Sequence, residues 1–178
     1  LKRGHRRYGD AVSQSVTVAA ASVLLALAFT AEASLPKPPC KPFDAVEVRK
    51  VLRLSVGAPK ATVGAAMVSC SAQASGAQVT LSYTLEPDRA LGSEGEFQQS
   101  LARARAAGRV EEATFQQTRC ASLLPSGGSK FGAFKAWCVL HSKAGRAVTV
   151  EVLAPNEKQL PALDKVAEVA GAAASRIP

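Results

Sequence analysis

A chain of 178 residues with 22 basic and 14 acidic side chains carries a net charge of +8, and its length suits one compact domain after a leader is set aside. Its four cysteines form no C-x-x-C pair and no H-x-x-x-H occurs, which excludes a zinc site of ordinary spacing and a thioredoxin-like redox pair. The basic balance favours anionic partners such as nucleic acid, acidic glycans or lipid headgroups, although it is also common in exported proteins that bind none of them.

Lys2, Arg3, Arg6 and Arg7 precede an apolar run from Val16 to Phe29, and small residues follow at Ala31 and Ala33. A basic start, a short apolar run and an A-x-A site predict a Sec-type secretory signal peptide over residues 1–33, cleaved near Ala33. The run falls short of the roughly 20 residues that span a bilayer, so an uncleaved N-terminal anchor is the less favoured reading. The expected product is a secreted or periplasmic chain with no membrane span, still basic because the leader removes four basic and two acidic residues.

"PKPPCKP", residues 36–42, reads as a stiff linker over 34–42, because proline fixes φ and restrains its predecessor. A single domain over 43–178 follows. Asp44 is placed to cap a first helix, with Glu47 three residues on and Phe43 before the cap. Val48, Val51, Leu52 and Ser55 make one face, and Gly57 and Pro59 close the helix.

Val68, Cys70 and Ala72 alternate with Ser69, Ser71 and Gln73; Val79, Leu81, Tyr83 and Leu85 alternate with Gln78, Thr80, Ser82 and Thr84. Period two on both sides of Ser75-Gly76 predicts a β-hairpin with one wet face. Pro87 to Gly95 reads as a loop, and a second helix is expected from about Glu96 to Ala107, burying Phe97, Leu101 and Ala104 before Gly108 stops it. Val110 to Thr118 is an ambiguous strand, and "PSGGSKFG" is a loop. A second hairpin turns at Ala144-Gly145: Phe134, Ala136, Cys138 and Leu140 oppose Lys135, Trp137, Val139 and His141, then Val148, Val150 and Val152 alternate with Thr149 and Glu151. A last helix runs from Pro161 to Arg176, its leucine, valines and many alanines recurring at helical spacing.

The expected fold is α+β, an antiparallel sheet of two hairpins with helices packed on one face, in the order α-β-β-α-(β)-β-β-α. Four cysteines in an exported chain predict two disulfides, and three connectivities are open. Sequential pairing, Cys40–Cys70 and Cys120–Cys138, is favoured. Cys40 stands just before the first helix and Cys70 on the apolar side of its hairpin; the second pair would staple the Gly-rich insertion.

The run "C-x-x-F-D-A-x-E-V-R-K-V-L" (Cys40 to Leu52), the hairpin Cys70, "AFKAW" (Ala133 to Trp137), "VTVEV" and the terminal Ala-rich helix resemble a large group of small exported bacterial domains, best known as actinobacterial cell-envelope lipoproteins of unknown function. The resemblance is one of patterning and covers most of the chain after the leader. It implies a small α+β sandwich with a bridge from first to second cysteine, and brings no activity or functional residues with it. The chain departs from that pattern in having Cys70-Ser71-Ala72 where Cys-x-aromatic is frequent, and in its second cysteine pair. Lys37-Pro38-Pro39 before Cys40 also lacks the small or apolar residues that lipid attachment needs.

Chemistry is sparse. His141 is the one histidine beyond the leader, and no G-x-S-x-G elbow or Walker loop occurs. The carboxylates Glu86, Asp88, Glu94, Glu96, Glu111 and Glu112 are scattered, so no catalytic residue, cofactor or metal is assigned. Arg103 and Arg105 lie about 200° apart on a helix and cannot form one stripe, which disfavours nucleic acid. The one basic–aromatic cluster is Phe131, Lys135, Trp137 and His141, the candidate binding surface. The functional expectation is a non-enzymatic binding or envelope-associated module, with an anionic envelope component or another protein as partner. The alternative is a small extracytoplasmic hydrolase or other enzyme with an unrecognised site.

Overall fold

In the computed structural model the described residues are 36–87, 92–126 and 133–178. The expected leader and Phe131 lie outside them.

Helix α1 covers Ala45–Leu52. The Asp44 carboxylate accepts from the backbone N–H groups of Val46 and Glu47 at 2.9 and 3.2 Å, satisfying two donors the first turn leaves open. Glu47 does not complete a capping box; its carboxylate takes the Arg176 guanidinium at 2.7 Å. The helix ends earlier than the glycine and proline suggested, at Arg53, which adopts the left-handed conformation with φ 57°. The proline segment before it is held to the domain rather than spanning open solvent. Pro42 is fully buried, the Tyr83 hydroxyl donates to the Pro39 carbonyl at 2.8 Å, and Cys40 is bonded to Cys70.

Among the described residues seven strands form one antiparallel sheet: β1 (Lys60–Val63), β2 (Met67–Ala74), β3 (Ala77–Thr84), β4 (Gly108–Phe115), β5 (Thr118–Pro125), β6 (Phe134–His141) and β7 (Ala147–Ala154). Their order across the sheet is β1-β2-β3-β7-β6-β5-β4. Two meanders, β1–β3 and β4–β7, are therefore joined where β3 pairs with β7, with Leu81 opposite Val150. Gly76 and Gly145 supply the positive φ that the two expected hairpin turns require.

Helix α2 (Gly92–Ala107) connects the meanders, and α3 (Leu163–Ser175) closes the chain. The expected order is corrected to α-β-β-β-α-β-β-β-β-α. The ambiguous region is a full hairpin, β4–β5, and β1 is an additional strand. Helix α2 also begins before Glu96, inside the expected loop, and runs straight into β4 at Gly108. A Cβ there would clash with the Leu124 carbonyl oxygen.

The helices do not share a face. Inward residues of β2, β3, β6 and β7, among them Val68, Val79, Leu81, Cys138, Val150 and Val152, pack with Val48 and Leu52 of α1 and Val166, Ala170 and Ala173 of α3. Alternate residues point the other way. There Ala121 and Trp137, paired across β5 and β6, receive Phe97, Leu101 and Ala104 of α2 in a second apolar cluster. Burying Leu101 or Phe97 stabilises this contact by about 1.5–3 kcal/mol each. Helix α2 thus covers one end of the sheet face opposite α1 and α3. The Cys120–Cys138 bridge joins directly paired residues of β5 and β6, Cα atoms 4.1 Å apart, on the α3 side.

Candidate functional site

The face that α2 shares is open over β2, β3 and β7. Alternation sends Ser69, Ser71 and Gln73 of β2, Gln78, Thr80, Ser82 and Thr84 of β3, and Thr149, Glu151 and Leu153 of β7 to this side. The registers bring them into rows: Ser69 beside Ser82 beside Thr149, Ser71 beside Thr80 beside Glu151, and Gln73 beside Gln78 beside Leu153. Cross-strand hydrogen bonds tie the rows. Ser69 Oγ and Ser82 Oγ lie 2.7 Å apart, Ser71 Oγ and Thr80 Oγ1 3.0 Å, and the Gln73 amide donates to Gln78 Oε1 at 3.2 Å. The Gln78 amide in turn donates to Thr80 Oγ1 at 3.3 Å. Except for exposed Gln73, these side chains are half-buried. A hydroxyl bonded once keeps further acceptor capacity, and a glutamine amide keeps a second N–H, so the face retains hydrogen-bonding potential toward a ligand.

At the Gln73–Gln78 end the face opens into a depression of about 360 Å³, lined by Gln73, Gly76, Gln78, Ala133, Leu153 and Pro155 among others. Lys135 and Glu151 form an ion pair where the open strands meet the helix-covered ones, and the Lys135 ammonium lies 5.0 Å from the centre of the Trp137 ring. Arg119 pairs with Glu94 of α2 and stacks 4.7 Å over the Phe97 ring. Hydrogen bonds from Gln98 and Arg119 hold the Glu94 carboxyl below the usual glutamate range.

Comparison with family models, with curated proteins and with solved structures found no match.

Of the four residues expected to form a binding cluster, Lys135 and Trp137 are brought together. Phe131 is outside the described residues. Trp137 is only 3 % exposed, lying beneath α2, and its indole Nε1 meets no acceptor among the described residues. Its ring therefore belongs to the α2 core rather than to an open groove. His141 is exposed at the far end of β6, four residues from Trp137, or about 13 Å along a strand. The hydroxyl and amide rows were visible in the sequence as the wet side of the hairpins. Their assembly over three strands was not, because it needs the pairing of β3 with β7. Among the described residues no group of three or more His, Cys, Asp or Glu is placed to hold a metal ion.

Proposed function

We propose that this chain is an exported, disulfide-stapled α+β module that binds a hydroxyl-rich envelope ligand, a glycan strand, on the open face of β2, β3 and β7. One observation carries this reading: seven short hydroxyl and amide side chains, Ser69, Ser71, Gln73, Gln78, Thr80, Ser82 and Thr149, stand in register on three adjacent strands. Such a surface exchanges hydrogen bonds with sugar hydroxyls without desolvating a charge, and the Lys135–Glu151 pair beside it is mutually neutralised. Two disulfides support an oxidising compartment. The basic–apolar–small leader pattern and the likeness in patterning to small exported actinobacterial domains support the same placement.

Titration of the isotopically labelled protein with N-acetylglucosamine oligomers, followed by amide chemical shifts, tests the site. Shifts confined to β2, β3 and β7 and abolished by Thr80→Val are expected; shifts clustered elsewhere, or none, count against it. Export is tested separately by intact mass of the protein recovered from its host, with and without reductant. Loss of residues 1–33 and a 4 Da gain on reducing two disulfides, about 1 Da per sulfur, are the expected result; an intact leader or free thiols would contradict it.

A further inference from the structure

Helix α1 has a second face that its packing does not use. At about 100° per residue, Val46, Arg49 and Lys50 fall within one arc of about 100°, and Arg53 continues the arc at the C-cap, while Val48 and Leu52 point into the core. Val46 is 72 % exposed, more than Val63 or Met67, the other exposed large apolar residues described. Arg49, Lys50 and Arg53 are exposed around it. The acids of the same helix do not neutralise them. Asp44 caps the backbone, and both it and Glu47 face Arg176, at 3.9 and 2.7 Å. On the neighbouring α3, Lys165 is held by Glu168 at 3.0 Å and Asp164 at 4.0 Å, and Arg53 repels its ammonium. The arc is therefore a cationic surface with an apolar residue at its centre.

We propose that this arc docks the domain on an anionic lipid surface, with Arg49, Lys50 and Arg53 at the headgroup phosphates and Val46 entering the interface. Charge complementarity accounts for the three cations. The valine selects a membrane over a soluble polyanion, because an apolar side chain gains from an acyl boundary and nothing from a hydrated polymer. Helix α1 packs on the sheet face opposite the hydroxyl rows, so docking through it turns those rows away from the bilayer. This surface is separate from the glycan face and does not depend on it.

The test is lysine acetylation of the full chain, read by mass spectrometry, on vesicles of phosphatidylcholine with or without phosphatidylglycerol. Exposed Lys143 is the reference site. Lys50 should be protected on the anionic vesicles only, Lys143 on neither, and high salt should remove the protection. Each cation contributes about fivefold to partitioning, so Arg49→Gln with Arg53→Gln should weaken it about thirtyfold. Val46→Gln should weaken vesicle protection as well. Equal Lys50 labelling on both vesicles overturns the proposal. Protection that survives Val46→Gln and is reproduced by soluble polyphosphate overturns it in favour of an acidic polymer. Unchanged amide shifts with the sugar oligomers leave this result untouched, so failure of either surface is read independently.

Discussion

Tyr83 joins two parts of the chain that are far apart in sequence. It is 1 % exposed on β3, and its hydroxyl donates to the Pro39 carbonyl, pinning the proline segment beside the Cys40–Cys70 bridge. Burial pushes the phenol pKa up, and the nearby Arg146 guanidinium offsets part of that rise. The folded protein therefore keeps this proton at pH values where the unfolded chain has released it. The resulting stability is fully present below about pH 10, the unfolded value, and is lost as pH climbs through the folded one. Urea melts on the alkaline side should show stability falling with pH, and Tyr83→Phe should flatten that slope. The same variant should cost about 1 kcal/mol at neutral pH, from the lost bond to Pro39. An unchanged alkaline slope in Tyr83→Phe would show that another group titrates.

At the scale of elements, legibility followed local pattern. Hairpin β2–β3 and strand β7 alternate cleanly, and hairpins β2–β3 and β6–β7 both turn at a glycine with positive φ, so both were predicted with their turns. Hairpin β4–β5 turns instead at Gln116, a non-glycine residue at φ 55°, and β4 alternates poorly because it is a largely exposed edge. Strand β1 is four exposed residues at the other edge, which leaves no apolar period to read. The cysteines were legible for the opposite reason. Cys70 sits on the apolar side of the cleanly alternating β2 and Cys40 just before a capped helix, so the two could meet across the helix–sheet interface, and Cys120–Cys138 would staple the Gly-rich insertion; the structure contains both bridges. Closing loops of 30 and 18 residues limits the unfolded chain by about 3.6 and 3.2 kcal/mol in the chain-entropy model. Replacing either pair by alanine should lower the urea-derived stability by about 3 kcal/mol. The Cys40/Cys70 variant should also lose the alkaline Tyr83 signature, since the proline segment is then released. The Cys120/Cys138 variant should keep it.

At the largest scale, the described residues build one sheet with apolar layers on both sides: a large one under α1 and α3, and a small one under α2 centred on Trp137. Because β5 and β6 carry residues of both layers, loss of the large layer would take the small one with it. Leu101→Ala, at a site 1 % exposed, should cost about 2–5 kcal/mol. Trp137 fluorescence, which reports the small layer, and far-ultraviolet circular dichroism should still give coincident transitions. An early fluorescence transition would mean that α2 detaches on its own.

What the sequence determined by itself was local: the cap at Asp44, the two glycine-turned hairpins, the buried stripe of α2, the alanine face of α3 and the even set of cysteines. Each is a matter of period or of a residue's own stereochemistry, carried within a few positions along the chain. Only the tertiary structure decided that β3 pairs with β7, that α2 crosses to the face opposite the other helices, and that Trp137 is therefore covered while the hydroxyl rows stay open. Alternation says which residues point the same way. It does not say which side of the sheet a connecting helix will take, because that choice is made by apolar surfaces distant in sequence that are buried only when the whole sheet is assembled.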